Sequence, residues 1–490
     1  MSRKPLITAL AFGSATLAGG ASLDFDPAQY SEKTVTVNGE TITYRAYENI
    51  PYVANPVDAA HQTINIYIPA AYYNGGSING YTATTAPIYL PNQIGGYMPA
   101  SAGVPGASGF GPKKEEADAM QTALTKGYIV ASPGARGRTS ADGKAPAAII
   151  DLKAAVRYLK HNDANMAGDA GKIISNGTSA GGALSILLGA SGNAPDYDAA
   201  LKTLGAADAP DDIYAVSAYC PISILDHADS AYEWEFHGVN DYEKIDVRQV
   251  DYHVERQLQK GTLSAAEQQT SADLKAQFPT YLNSLNLKNT DGTPLTLDAD
   301  GNGNFRDAVA AYLGKSAETA LKNGQTTAAQ LAADHPWLTL DGDRVTAVDF
   351  AAYAKTIGRQ KTPPAFDALD LSSGENQLFG SASEDKRHFT AYSQTHSSIA
   401  GAGMADAAAI KQMNPLHYIS DKTAPQHWRI RVGTADRDTS HAIAVILASK
   451  LADSGKTVDL VMPWQIPHSG DYDLDELFAW MDNVVKNGQP

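Results

Sequence analysis

One cysteine, Cys220, is all that the 490 residues contain, so no disulfide can close within the chain and the fold must rest on its hydrophobic core. That thiol lies in the mostly apolar run 215–222, beside Tyr219 and Pro221. Neither neighbour supplies a base or a positive charge, so the sequence reads it as a buried, inert thiol rather than a nucleophile. Positive charge is scarce too: 38 Lys and Arg face 54 Asp and Glu, for a net charge of -16. Such a field repels phosphate backbones and anionic lipid, so neither nucleic acid nor membrane is expected as a partner. Long hydrophobic runs are also lacking. The stretch 6–18 falls short of the ~20 apolar residues that span a bilayer. It follows Arg3 and Lys4 and runs into Gly19, Gly20, Ala21 and Ser22, the pattern of a secretory signal peptide over residues 1–21. A secreted or periplasmic location follows, with no lipobox cysteine to anchor the protein to lipid. No repeat of fixed period is present, which excludes solenoids and propellers.

What is there is ordinary for a globular protein: 43% apolar and 19% charged residues. The length exceeds what one growing core accommodates, so several domains or one core with a large insertion are expected. Short β-branched runs at Thr63–Pro69, 86–90, 128–132 and 172–176 read as buried strands. Between them, 115–126 and Ala147–His161 carry apolar residues at helical spacing. The same alternation returns after residue 418, with strands at 428–432 and 458–462 and helices at 441–452 and 474–485. Strands alternating with helices predict an α/β architecture, a doubly wound, mostly parallel sheet covered on both faces. From 222 to 418 that alternation stops. Helices at 263–278 and 306–322, long polar turns and the loop Lys361-Thr362-Pro363-Pro364 dominate. The economical account is a mainly helical lid domain at 222–418, inserted into a sheet built from 22–221 and 419–490.

Strand 172–176 leads into Gly177-Thr178-Ser179-Ala180-Gly181, followed by a helical run. In a nucleophile elbow the serine occupies a strained turn, and the positions two before and two after must be small because neighbouring backbone passes there. This is the signature of the α/β-hydrolase fold, whose chain order is Ser, then an acid, then His. After strand 428–432 comes Gly433-Thr434-Ala435-Asp436-Arg437-Asp438, and after strand 458–462 comes a loop holding His468. His468 is singled out from the 12 histidines by that place. It would take the proton of Ser179, and an aspartate would orient the imidazole. Asp436 and Asp438 compete for the role of acid. The oxyanion needs backbone N–H donors. Ala180 and one of the pair Gly95 and Gly96, in the loop after strand 86–90, are the candidates. None of this chemistry calls for a cofactor.

With these motifs in place the chain resembles the bacterial tannases, tannin acylhydrolases of the α/β-hydrolase fold. The likeness is carried by PNQIGGYMP (91–99), GTSAGGALS (177–185), HADSAYEWEF (227–236), FDALDLSSGENQLFG (366–380), HWRIRVGTADRDTS (427–440) and PWQIPHSGDYDL (463–474), in one order. The resemblance implies hydrolysis of galloyl esters, small-molecule substrates that include tannins. It also implies Asp436 as the acid, Gly96 as the oxyanion glycine, and Lys361, Glu375 and Asp438 as the groups that bind the phenolic ring. Read without it, Lys361 and Glu375 are solvated surface charges. One segment falls outside the resemblance. Asp298, Asp300 and Asn302 are spaced as the first ligands of a calcium loop. Val309 stands where the bidentate glutamate belongs, so a polar turn is expected there instead. A feruloyl or general aryl carboxylesterase is the alternative activity. An inactive binding module is a third reading, opposed by the presence of the complete serine, histidine and aspartate set.

Overall fold

The protein is described here by a computed structural model, which covers residues 20–107, 116–250 and 253–488. Most of the expected signal peptide, residues 1–19, lies outside the described residues. The strands, in chain order, are β1 (Ser31–Val37), β2 (Glu40–Pro51), β3 (Thr63–Pro69), β4 (Pro87–Pro91), β5 (Ile129–Pro133), β6 (Asp169–Thr178), β7 (Ala215–Tyr219), β8 (Asp241–Val250), β9 (His253–Thr262), β10 (Leu338–Asp341), β11 (Arg344–Val348), β12 (His427–Arg431) and β13 (Thr457–Val461). Nine of them form one sheet in the order β1-β2-β3-β5-β4-β6-β7-β12-β13. From β5 to β13 every pairing is parallel, and β1, β2 and β3 add an antiparallel edge.

Every residue of β3, β4, β5, β7 and β12 is buried, because helices cover both faces of the sheet. This is why these strands read as continuous apolar runs rather than alternating ones. Helix Ala180–Ala190 is buried along its whole length. At the C-terminus, helix Leu474–Asn487 sends only one stripe inward, Leu477, Phe478, Trp480, Met481 and Val484. Strands β4 and β6 are neighbours, but the chain leaves β4 toward β5 on one side and β6 toward β7 on the other. Such a reversal opens a crevice at the carboxyl ends of the two strands. The loop with Gly95 and Gly96 and the turn with Ser179 both begin there.

The sheet is interrupted between β7 and β12 by a mainly helical segment. Two hairpins, β8–β9 and β10–β11, stand in it that the sequence reading did not foresee. The first is rich in charge (DYEKIDVRQV and HVERQLQKGT) and offers no apolar face to the pattern. The edge strands β1 and β2 were missed for a related reason, since β1 is exposed at most positions. Helix Ala265–Ser284 runs past Pro279, where the sequence reading ended it. Burial of Leu274, Phe278 and Leu282 on one stripe holds the turn that the proline weakens. Among the described residues no helix is long and apolar enough to cross a membrane.

Candidate active site

Strand β6 delivers the chain into Ser179 with φ 61° and ψ -122°, a left-handed region that non-glycine residues occupy only when their surroundings impose it. The surroundings are explicit. Ser179 N–H donates to the Tyr219 carbonyl at 3.0 Å, and the Ser179 carbonyl accepts from Ala183 at 3.0 Å and Ile222 at 3.2 Å. A Cβ on Gly177 would sit 2.2 Å from the Gly181 carbonyl oxygen, and one on Gly181 would sit 2.7 Å from the Ile94 carbonyl oxygen. Close approach of backbone demands glycine at both places. Helix Ala180–Ala190 starts at the next residue, so the positive end of its dipole lies at the serine.

His468 Nε2 lies 2.9 Å from Ser179 Oγ, and His468 Nδ1 lies 2.8 Å from Asp436 Oδ2. With Nδ1–H donating to the aspartate, Nε2 is free to accept the serine proton. Asp436 is fully buried, and its other oxygen accepts the Asp438 amide at 2.9 Å. Asp438 sits on the opposite side of the ring, with Oδ2 3.4 Å from His468 Nε2. The two aspartates left open by spacing are thus separated by geometry: Asp436 orients the imidazole, and Asp438 flanks the nitrogen that faces Ser179. Burial alone would lower the His468 pKa, but Asp436 and Asp438 outweigh it and hold the imidazole well above its ordinary value.

Cys220 is buried, as expected, and burial pushes its thiol pKa up. Its surroundings are not bland, however, because Sγ lies 4.0 Å from His468 Nε2 and donates to the Ser469 carbonyl at 3.3 Å. Chain neighbours could not reveal this contact, which comes from residues 248 positions away.

The loop after β4 is bound to the elbow. Asn92 Nδ2 donates to the Gly181 carbonyl at 3.1 Å, and Gly181 N–H donates to the Ile94 carbonyl at 3.2 Å. A trans peptide sets its C=O and N–H on opposite sides. The Ile94 carbonyl points at the elbow, so the Gly95 N–H turns away from it. The Gly95 carbonyl accepts the Met98 amide at 3.0 Å, and Gly96 has φ 57° with its own carbonyl held by Arg138 Nε at 2.8 Å.

Next to Asp438 stand the other two charges named by the resemblance. Lys361 Nζ lies 3.5 Å from Asp438 Oδ1 and 4.1 Å from the centre of the Phe366 ring. Burial opposes ionisation of Asp438, yet Lys361 and His468 hold its carboxyl below the usual range. Glu375 opens the short helix Gly374–Leu378. Burial pushes its carboxyl up, while the nearby Lys361 pulls it down. Ser179, His468, Asp436, Asp438 and Lys361 therefore form one connected group, with the Glu375 carboxyl close enough to feel the charges of Lys361 and Asp438.

The calcium-loop candidates do not gather in this way. Asp298 Oδ1 accepts the amides of Asp300 and Asn302, and Asn302 Oδ1 is taken by the Arg306 guanidinium. A cationic side chain thus occupies one of the would-be ligand oxygens. Among the described residues the one cluster with metal-ligand types in reach is Cys220, Asp436 and His468.

Comparison with known proteins bears on this geometry. The family model described as BD-FAE matches residues 87–249. The solved tannase of Fusobacterium nucleatum is 49% identical, with 95% of this chain and 99% of that chain covered at a TM-score of 0.89. That of Lactobacillus plantarum is 46% identical over 94% and 99%, at a TM-score of 0.88. The chain belongs to the bacterial tannase family. A further structure, described as a tannin acyl hydrolase in complex with ethyl gallate, is 46% identical over 94% and 99%, at a TM-score of 0.86. Curated proteins yield no match. Within this tannase fold, sequence reasoning missed Gln360, which donates to Asp438 Oδ1 at 2.9 Å, and Arg138, which ties Gly96 to Gln377. Neither lies in a motif with a fixed spacing to the triad, so no sequence signal pointed to them.

Proposed function

We propose that this chain hydrolyses galloyl esters through an acyl-enzyme on Ser179. The carrying observation is the chain of contacts Ser179–His468–Asp436, at 2.9 and 2.8 Å, with Lys361 and Asp438 on its flank. Ser179 Oγ attacks the ester carbonyl and gives its proton to His468 Nε2, while Asp436 steadies the imidazolium. The tetrahedral oxyanion is held by the amides of Ala180 and Gly96. His468 passes the proton to the leaving alcohol. It then takes a proton from water, whose oxygen attacks the acyl-enzyme, and returns that proton to Ser179 Oγ as the ester bond breaks and gallate is freed.

Lys361, Glu375 and Asp438 bind the trihydroxyphenyl ring in this reading. Carboxylates accept from the phenolic hydroxyls and the ammonium donates to their oxygens. A ring without hydroxyls would leave these half-buried charges without partners, which is the basis of rejection. The bound ethyl gallate of the relative supports this reading. Residues 222–418 act as the lid over the site, and residues 1–21 direct export; a purified native protein that keeps Met1 to Ala21 would contradict export. Turnover of methyl gallate against methyl ferulate tests the activity. A clear preference for gallate is expected, and a preference for ferulate would favour the feruloyl esterase alternative.

A further inference from the structure

The Lys361–Asp438 pair joins two segments far apart in sequence, and both side chains are 20% exposed. One buried hydroxyl ties together the backbones beneath them. Tyr232, on helix Leu225–Phe236, is fully buried. Its hydroxyl donates to the Arg437 carbonyl at 2.9 Å and accepts the amides of Gln360 and Lys361, each at 3.1 Å. One donor and two lone pairs are all that a phenol has, so its hydrogen-bonding capacity is full. It has no proton or lone pair left for substrate. Its effect must therefore pass through the two segments it joins.

Those segments are the ones that carry the charges of the ring pocket. Arg437 precedes Asp438, and Lys361 receives the hydroxyl at its own amide. The Lys361 carbonyl is taken from the other side by Arg359 Nη1 at 3.2 Å, and the Arg359 guanidinium is locked to Glu233 in a fully buried ion pair. Gln360, whose amide is bound by the same hydroxyl, reaches Asp438 Oδ1 with its side chain at 2.9 Å. We propose that Tyr232 is a positioning residue for ring specificity: it fixes the spacing between the Lys361 ammonium and the Asp438 carboxylate, and with it the preference for a hydroxylated ring. This inference rests on the ring-pocket reading above.

The test is kcat/KM of Tyr232→Phe on methyl gallate and methyl benzoate, with kcat and KM resolved and the melting temperature measured. The expected loss on methyl gallate exceeds that on methyl benzoate by about tenfold or more, carried by KM. Equal losses on both esters, or a lower melting temperature with an unaltered ratio, would assign Tyr232 a merely structural role and overturn the inference. Should Tyr232→Phe fail to fold, Gln360→Leu removes only the contact to Asp438 and is expected to shift the ratio in the same direction. An unshifted ratio there overturns the inference equally. If the wild-type enzyme shows no preference for gallate, the ring-pocket reading itself fails, and that outcome is separate from the behaviour of either variant.

Discussion

The elbow and the charged group proposed to bind the ring lie side by side in the folded protein but are encoded in opposite ways. The elbow is five consecutive residues, Gly177 to Gly181, whose chemistry follows from backbone passing within 2.2–2.7 Å of where side chains would stand. The proposed ring pocket draws Lys361, Glu375 and Asp438 from three separate segments, which act together only once those segments meet. Local geometry leaves a motif in the sequence, whereas assembly at a distance leaves isolated charges. The two regions should accordingly fail in different ways.

The largest expected effect is that of Ser179→Ala, which should cost about five to six orders of magnitude in kcat on every ester, whatever its ring. Residual rates that depended on the ring would blur the separation between the regions. Lys361→Ala should instead cost about two to four orders of magnitude in the preference for methyl gallate over methyl benzoate. Steady-state kinetics on the two esters reads this directly, and an equal fall on both would place Lys361 with the triad. Gly181→Ala brings a Cβ against Asn92 and Ile94. A displacement of about 1 Å in the elbow should lower kcat by about a hundredfold without altering the ring preference.

The pH dependence offers a finer division. His468 must be neutral to accept the serine proton, and Asp436 and Asp438 raise its pKa. Activity should therefore be lost on the acid side at a higher pH than an ordinary histidine would give. Asp438→Asn, assayed on an ester without ring hydroxyls, should move that limb to lower pH, because one of the two charges that stabilise the imidazolium is gone. An unmoved limb would confine Asp438 to ring binding. The smallest effect concerns stability behind the acid loop. Burial opposes the charge on His441, but Glu235 at 2.8 Å raises its pKa to about 9. A raised histidine pKa stabilises the fold fully below its unfolded value of about 6.5, and that contribution is lost as pH rises through about 9. Urea denaturation across this window should show the decline, and Glu235→Gln should flatten it.

This contrast also explains how much of the molecule was legible in its sequence. The central strands announced themselves because burial on both faces makes them continuously apolar, and the elbow because its glycines are forced. The resemblance to tannases then singled out Asp436 over Asp438, and His468 Nδ1 lies 2.8 Å from Asp436 Oδ2. Strands β1, β8 and β9 were not legible, since β1 is largely exposed and β8 and β9 are rich in charge, and such strands owe their form to pairing rather than to an apolar pattern. The same holds for side chains. Cys220 looked inert among its chain neighbours yet touches His468, and no motif in the sequence singled out Tyr232. Both gain their meaning from residues more than a hundred positions away.

The central claim is that a general acyl-transfer centre has been made selective by three charges beside it. It is tested most directly by kcat/KM of the wild-type enzyme on methyl gallate against methyl benzoate. The account predicts a preference for gallate of about a hundredfold or more. Comparable values for the two esters would contradict it.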